Sequence, residues 1–416
     1  MNLDPAFNTS QNIYLDRQVI QALPQTGEAW EELWDHAHTN WGSPDLADQD
    51  NKHDVHVFAG ALVAVATNDT ELRNRVVQGL TGAVGTENGA RALAIARQLT
   101  GYVLAADIIG YYDPSYVQWV GSMITFPTTS GPGSLRESHM ERPNNWGTHA
   151  GVARLAAALY TNDGEEAQDA VDVFVGFLGD RSRYAGFKYG DLSWQANPEA
   201  PVGVNPPGSS LDGHSLDGAL PEELRRAGGF QYPFPKENYC WEAMQGIVTM
   251  AWLVEQNGFF VLNLTAVKRA YDWLVNEADY PAEGDDRFVV PMIECLFDPD
   301  WPGVSTNGAV GSGKSIGFTG WTHGFNTGVE EPPVEEPPVE EPPVEEPPAE
   351  EPPAEEPPAE EPPAPLVVRH HVVEPGDTLW GIALEYDVTV TDLRVANNIA
   401  PNDDLILVGR VLHVVT

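Results

Sequence analysis

Two stretches of this 416-residue chain gather side chains that exchange or donate protons. The first, Asp217 to Gly258, sets Arg225, Arg226, Tyr232 and Tyr239 among several carboxylates in a polar, Gly/Pro-rich loop, and runs straight into an apolar helix pattern, Trp241 to Val254. A reactive loop anchored by a rigid helix is where catalytic groups are usually found. The second stretch, Arg142 to Gly151, opens another helix. Asn145 and His149 stand four apart in it, so a helical turn puts both on one face. On residue types alone the pair reads as an Asn cap followed by a packed His.

The elements that must position these groups are helical. Ala, Leu and Val recur at spacings of three and four over Val55 to Ala66, Glu71 to Val84, Gly89 to Ile109, Tyr116 to Met123, His149 to Tyr160, Ala167 to Leu178, Trp241 to Val254 and Val267 to Asn276. Two of these segments end alike, in Thr67-Asn68-Asp69 and Thr161-Asn162-Asp163, which suggests repeated helical hairpins. Strand signals are sparse before residue 330, so the expected class is mainly α. Long Gly/Pro/Trp-rich loops lie at Phe126 to Gly147, Gly179 to Gly218 and Asp298 to Gly328. Trp146, Tyr184, Phe187, Tyr189 and Trp194 in them are candidate stacking platforms for sugar rings.

Composition divides the chain. Glu330 to Pro365 is seven copies of EEPPV or EEPPA plus a final Pro, with 14 Glu and no aromatic or basic residue. Such a segment buries too little apolar surface to offset chain entropy, and its Pro pairs favour an extended spacer of roughly 100 Å. The expected domains are residues 1–329, 330–365 and 366–416. The formal charge of -40 leaves 41 acids against 19 bases before Glu330. An acidic body argues against nucleic acid as partner. Nine of those bases fall between Arg136 and Lys236, among them Arg181 and Arg183, which makes a local basic cleft an expectation. Two cysteines, Cys240 and Cys295, are too few for a disulfide framework. The first residues lack a basic and apolar leader pattern, and no stretch is long and apolar enough to cross a membrane.

The central motif resembles that of alginate-lyase-type polysaccharide lyases, Asp-Gly-x-Leu-Pro-x-Glu-x-x-Arg followed by a Tyr that opens an apolar helix. It is met by Asp217, Gly218, Leu220, Pro221, Glu223, Arg226 and Tyr239, with a longer Arg-to-Tyr spacing here. Asn144-Asn145-Trp146-Gly147-Thr148-His149 resembles the same family's Asn-Asn-His-x-x-Trp, with His and Trp exchanged. The resemblance covers residues 50–325 and implies an incomplete (α/α) toroid that cleaves an acidic polysaccharide by β-elimination, with no cofactor. It implies that Asn145 and His149 engage a uronate carboxylate, and that Arg226 and Tyr239 act beside them. Arg225 and Tyr232 are the reserves.

Elimination suits these residue types. The proton to be removed lies next to a carboxylate, and a second negative charge must build on that group. Amide, imidazole or guanidinium donors aimed at it stabilise the developing dianion. A base takes the carbon-bound proton, and an acid protonates the departing glycosidic oxygen. A Tyr does both if a neighbouring Arg lowers its pKa from about 10. Arg181 and Arg183, with the aromatics named above, then become substrate-binding candidates.

Other signals carry less. Gly308 to Ser315 matches GxxxxGK[ST], yet no strand pattern precedes it and no helix pattern follows, so it is not read as a phosphate loop. His53 and His56 lack further metal ligands at recognisable spacing. Asp and Glu are too abundant for a hydrolase carboxylate pair to be picked out.

Val372 to Val415 has its own pattern. A Glu-Pro-Gly-Asp-Thr-Leu turn leads into helix signals at Leu379 to Tyr386 and Thr391 to Asn397, closed by a strand at Val411 to Val415. The order βααβ and the run HVVEPGDTLWGIALEYDVTVTDLRVANNI resemble a LysM domain. That resemblance implies binding of peptidoglycan or chitin in a groove formed by Gly376, Asp377, Thr378 and Leu379 with Asp404, Leu405 and Ile406. It also implies a location at the cell wall, outside the cell or on a phage particle. A glycoside hydrolase on a similar ring, and a non-catalytic glycan-binding adhesin or phage structural protein, are the alternatives.

Overall fold

Two left-handed asparagines make the helical hairpins. Asn68 (φ 57°) and Asn162 (φ 55°) each follow a long helix, and the aspartate after each caps the next: Asp69 accepts from Leu72 N and Asp163 from Glu166 N. Backbone bonds close both turns in the same way, Asp69 N to Ala64 O at 2.9 Å and Asp163 N to Ala158 O at 2.8 Å. Asn tolerates the left-handed conformation and Asp satisfies the free N–H groups of the next helix, so three residues reverse the chain.

The computed structural model describes residues 11–129, 132–297, 308–324, 368–373 and 411–415, and positions 379, 382, 383, 386, 388, 390, 393 and 397. The Glu/Pro repeat at 330–365 and part of the 298–328 loop lie outside the described residues. The chain divides into two compact units, 1–327 and 328–416.

The larger unit is built from α1 (Arg17–Ala22), α2 (Glu28–His38), α3 (His53–Thr67), α4 (Thr70–Ala83), α5 (Ala92–Ile108), α6 (Pro114–Met123), α7 (Leu135–Glu141), α8 (Asn145–Tyr160) and α9 (Gly164–Phe177). A two-residue hairpin, β1 (Ser210–Leu211) with β2 (His214–Ser215), precedes α10 (Pro221–Leu224) and a 3-10 turn at Arg225–Ala227. Then come α11 (Asn238–Gln256), α12 (Thr265–Asp272), α13 (Val289–Phe297) and α14 (Thr319–Thr322). All the helices expected from periodicity in this unit form, while α1, α2, α7, α10, α13 and α14 add to them.

Burial sorts the helices into layers. Every residue of α5 is buried, and α3, α8 and α11 are buried on most of their faces, so they form the inner layer. The helices α4 and α9 bury one face only and lie outside it. α8 packs between α5 and α11. Gly246 permits that contact: a Cβ there would lie 2.5 Å from the Thr148 carbonyl carbon and 2.8 Å from His149 N. The two helix backbones therefore touch beside His149.

In the smaller unit β3 (Val368–Val372) pairs antiparallel with β4 (Val411–Val415), His370 opposite His413. Leu412 and Val414 of the sheet share a small core with Val373, Leu379, Ile382, Ala383 and Leu393.

Candidate functional site

The Asp217–Arg226 motif is mostly scaffold. Asp217 pairs with Arg269 at 2.7 Å and accepts from Gly208 N at 2.8 Å. Gly218 is obligatory, because its φ is +91° and a Cβ would lie 2.2 Å from the Arg269 carbonyl oxygen. Leu220 and Pro221 are buried, and Pro221 starts α10, where its missing N–H costs nothing. What this scaffold delivers is Glu223 and Arg226, one turn apart.

Those two residues meet Asn145 and Tyr239. Arg226 Nη2 donates to Asn145 Oδ1 at 2.9 Å, and its guanidinium carbon lies 3.9 Å from the centroid of the Tyr239 ring. Glu223 stands behind them, 2.7 Å from Arg226 Nε, and accepts from the Asn145 N–H at the start of α8. Asn145 is fully buried, and among the described residues its Nδ2 has no hydrogen-bond partner. Tyr239 is 40% exposed, so the cluster runs from a buried amide to the surface. Burial pushes the Glu223 carboxyl up; the Arg226 charge and the Asn145 N–H pull it back, and it settles at about 8.

His149 belongs to a second cluster one turn further along α8. Its Nδ1 lies 2.9 Å from Ser315 Oγ, and its Nε2 lies 3.8 Å from Glu242, too far for a hydrogen bond. Glu242 follows Tyr239 by three on α11 and is paired with Arg97. Burial lowers the His149 pKa, Glu242 raises it, and Arg97 and Lys314 lower it again. Burial pushes Glu242 up, but His149, Arg97 and Lys314 outweigh it and hold the carboxyl at about 2. His149 is fully buried and flanked by Ser315 and Glu242, and its Nε2, like Asn145 Nδ2, has no hydrogen-bond partner among the described residues. Four residues of helix separate it from Asn145, so the two groups lie about one turn apart along α8.

The reserves point elsewhere. Arg225 pairs with Glu222, and Tyr232, 60% exposed, stacks on His214 with ring centroids 3.7 Å apart. The stacking platforms are dispersed. Trp194 is fully buried and donates from Nε1 to Gly228 O at 2.9 Å, so it pins the loop instead of facing a sugar. Tyr184 donates to Met140 O at 2.6 Å, and Tyr189 meets Phe187 edge-on. Trp146 lies under the Arg142 guanidinium at 4.5 Å. Arg181 donates to Pro201 O at 2.6 Å, and Arg183 pairs with Asp172. The basic residues counted along the sequence are thus largely spent on local partners.

Around the remaining motifs, His53 Nδ1 lies 2.8 Å from the Tyr102 hydroxyl. Among the described residues no group of three His, Cys, Asp or Glu is arranged to hold a metal ion. Gly311 to Gly317 forms a tight turn closed by Gly313 N to Ile316 O at 2.8 Å, and the next helix begins only at Thr319. Cys240 is buried and Cys295 exposed, and neither is bridged. No described helix is long and apolar enough to cross a membrane.

In the smaller unit, the two-stranded antiparallel sheet packs with Leu379, Ile382, Ala383 and Leu393 into a core of its own. This module is a LysM domain, matched over residues 371–415, which supports carbohydrate binding, to peptidoglycan or chitin. No curated protein matches the chain. Leu379 is buried in the module's core, so it holds the fold and does not line an open groove. Gly376, Asp377, Thr378, Asp404, Leu405 and Ile406 lie outside the described residues.

Proposed function

We propose that the helical unit is a polysaccharide lyase that cleaves a uronic-acid-containing polysaccharide by β-elimination, and that the LysM domain anchors it to peptidoglycan or chitin at the cell wall. The observation that carries this reading is the Asn145–Arg226–Tyr239 cluster. A buried amide donor without a partner and a guanidinium converge beside a partly exposed phenol.

In this reading Asn145 Nδ2 and Arg226 take the uronate carboxylate and stabilise the charge that builds on it. Tyr239 Oη takes the proton from the adjacent carbon. The released electron pair forms the carbon–carbon double bond, the bond to the glycosidic oxygen breaks, and Tyr239 returns the proton to that oxygen. Glu223 keeps Arg226 and the first turn of α8 in register. The lyase resemblance also implies an incomplete (α/α) toroid; the like-turned hairpins α3/α4 and α8/α9 support that arrangement.

The test is to follow ultraviolet absorbance and reducing ends over a panel of polyuronates and glycosaminoglycans. Elimination raises both signals. New reducing ends without absorbance mean hydrolysis, and neither signal on any member overturns catalysis in favour of glycan binding alone.

A further inference from the structure

Tyr232 is the most exposed aromatic ring among the described residues, at 60%, yet it is held on two sides. One face stacks on the His214 imidazole, with ring centroids 3.7 Å apart and planes 12° from parallel, and Phe234 meets it edge-on at 5.3 Å. Beneath these, Phe234 packs on Trp273 at 4.9 Å and Phe230 on Trp194 at 5.1 Å, and both tryptophans are buried. His214 comes from the β1/β2 hairpin, whose turn residues Asp212 (φ 49°) and Gly213 (φ 83°) both take the left-handed conformation of a tight two-residue loop. A ring mounted in this way has lost its freedom before anything binds, so a ligand that covers it has little left to order.

Its position ties it to the Asn145–Arg226–Tyr239 cluster. Tyr232 stands midway along residues 227–238, a segment that leaves from Arg226 and returns to Tyr239. Those two ends touch, the Arg226 guanidinium carbon lying 3.9 Å from the Tyr239 ring centroid. The segment is therefore a closed surface loop packed by its own side chains, a type that is frequently functional. Even along a fully extended chain, Tyr232 lies no farther than roughly 20 Å from Arg226. A polymer held at the cluster reaches that far.

The chemistry of the ring names its occupant. The open face of a phenol is apolar and carries partial negative charge, so it takes the face of a sugar ring that presents C–H groups. The loop's own charged side chains are engaged elsewhere: Lys236 Nζ lies 3.3 Å from Asp279, and Glu237 caps α11 by accepting from Tyr239 N. We propose that Tyr232 is a sugar-stacking platform, a distal subsite that grips the polysaccharide away from the point of cleavage. This rests on the lyase reading for the polymer that reaches it, and it gives a binding role to a residue that the sequence offers as a reserve proton carrier.

The experiment measures KM and kcat against oligouronate chain length, together with Kd from calorimetric titration of the same oligouronates into full-length Tyr239→Phe protein with and without a change at Tyr232. Tyr232→Ala is expected to raise KM and Kd for long chains about fivefold, to leave the shortest chains that still bind unaffected, and to act on KM and not on kcat. Tyr232→Phe keeps the ring and is expected to retain long-chain binding and turnover. His214→Ala removes the support under the ring and should weaken long-chain binding in the same sense as Tyr232→Ala. An equal effect of Tyr232→Ala at every chain length, or none at any, overturns the platform. Loss of turnover in Tyr232→Phe overturns it too, because the hydroxyl would then carry the proton. If no polymer is cleaved, the titrations still decide: a loss confined to long chains keeps the platform while the lyase reading fails alone, and absence of oligouronate binding at any length overturns the platform.

Discussion

Arg226 reaches across 81 residues of sequence to donate to Asn145 Oδ1 at 2.9 Å, while Asn145 Nδ2 has no partner among the described residues. The same guanidinium covers one face of the Tyr239 ring. A single side chain thus ties the start of α8 to the start of α11, and the predictions below turn on that arrangement.

Tyr239→Phe is expected to abolish turnover and leave KM-range glycan binding intact, because it removes only the proton carrier. Phe keeps the ring on which Arg226 rests, and the site is partly exposed, so the melting temperature should stay within a degree or two. Full activity by the absorbance assay would transfer the role to Tyr232.

Asn145→Ala is expected to lower turnover by about 3 kcal/mol of transition-state stabilisation, on the scale of losing one oxyanion donor. Substrate affinity should change far less. An effect under tenfold in kcat would mean that the amide does not hold the developing dianion.

Glu223 makes stability fall as pH rises. Its carboxyl titrates at about 8 in the folded protein against 4.5 for a free glutamate, so between those values the folded chain keeps a proton that the unfolded chain has lost. Stability should therefore decline through that window and level off above pH 8. Glu223→Gln keeps an acceptor for the Asn145 N–H and is expected to flatten the decline in urea midpoints measured against pH.

Glu242 has the opposite sign. Held at about 2, its carboxyl contributes stability that is fully present above the free value of 4.5 and lost as pH falls toward 2. Glu242→Gln should weaken the protein at neutral pH and remove part of its acid-unfolding limb. An unaltered acid limb would show that Arg97 does not hold Glu242 ionised.

Deleting residues 330–416 is expected to leave activity on soluble substrate unchanged, since residues 1–327 form a compact unit of their own. Retention on peptidoglycan or chitin should be lost with the LysM domain, and activity on wall-attached glycan should drop with the fall in effective concentration. A truncated protein that still pellets with purified cell wall would place a second wall-binding surface on the helical unit.

The sequence by itself determined the helices, the hairpin turns and the C-terminal module, because each depends on residues close along the chain. Apolar spacing names the buried faces of α3, α5, α8 and α11, and Asn-Asp pairs reverse the chain after Thr67 and Thr161 by backbone and capping preferences that need no distant partner. The Asp217–Arg226 motif likewise pointed to Arg226 and Tyr239. Tertiary structure decided which of the named polar groups stay free. Trp194 was drawn into the core, Arg181, Arg183 and Arg225 were consumed by nearby acceptors, and His149 was buried against Ser315 and Glu242. The Arg97–Glu242 pair gave no sequence signal at all, because its two partners stand 145 residues apart along the chain. Periodicity records which face a helix turns inward, but the partner that meets each polar group there comes from segments tens to hundreds of residues away.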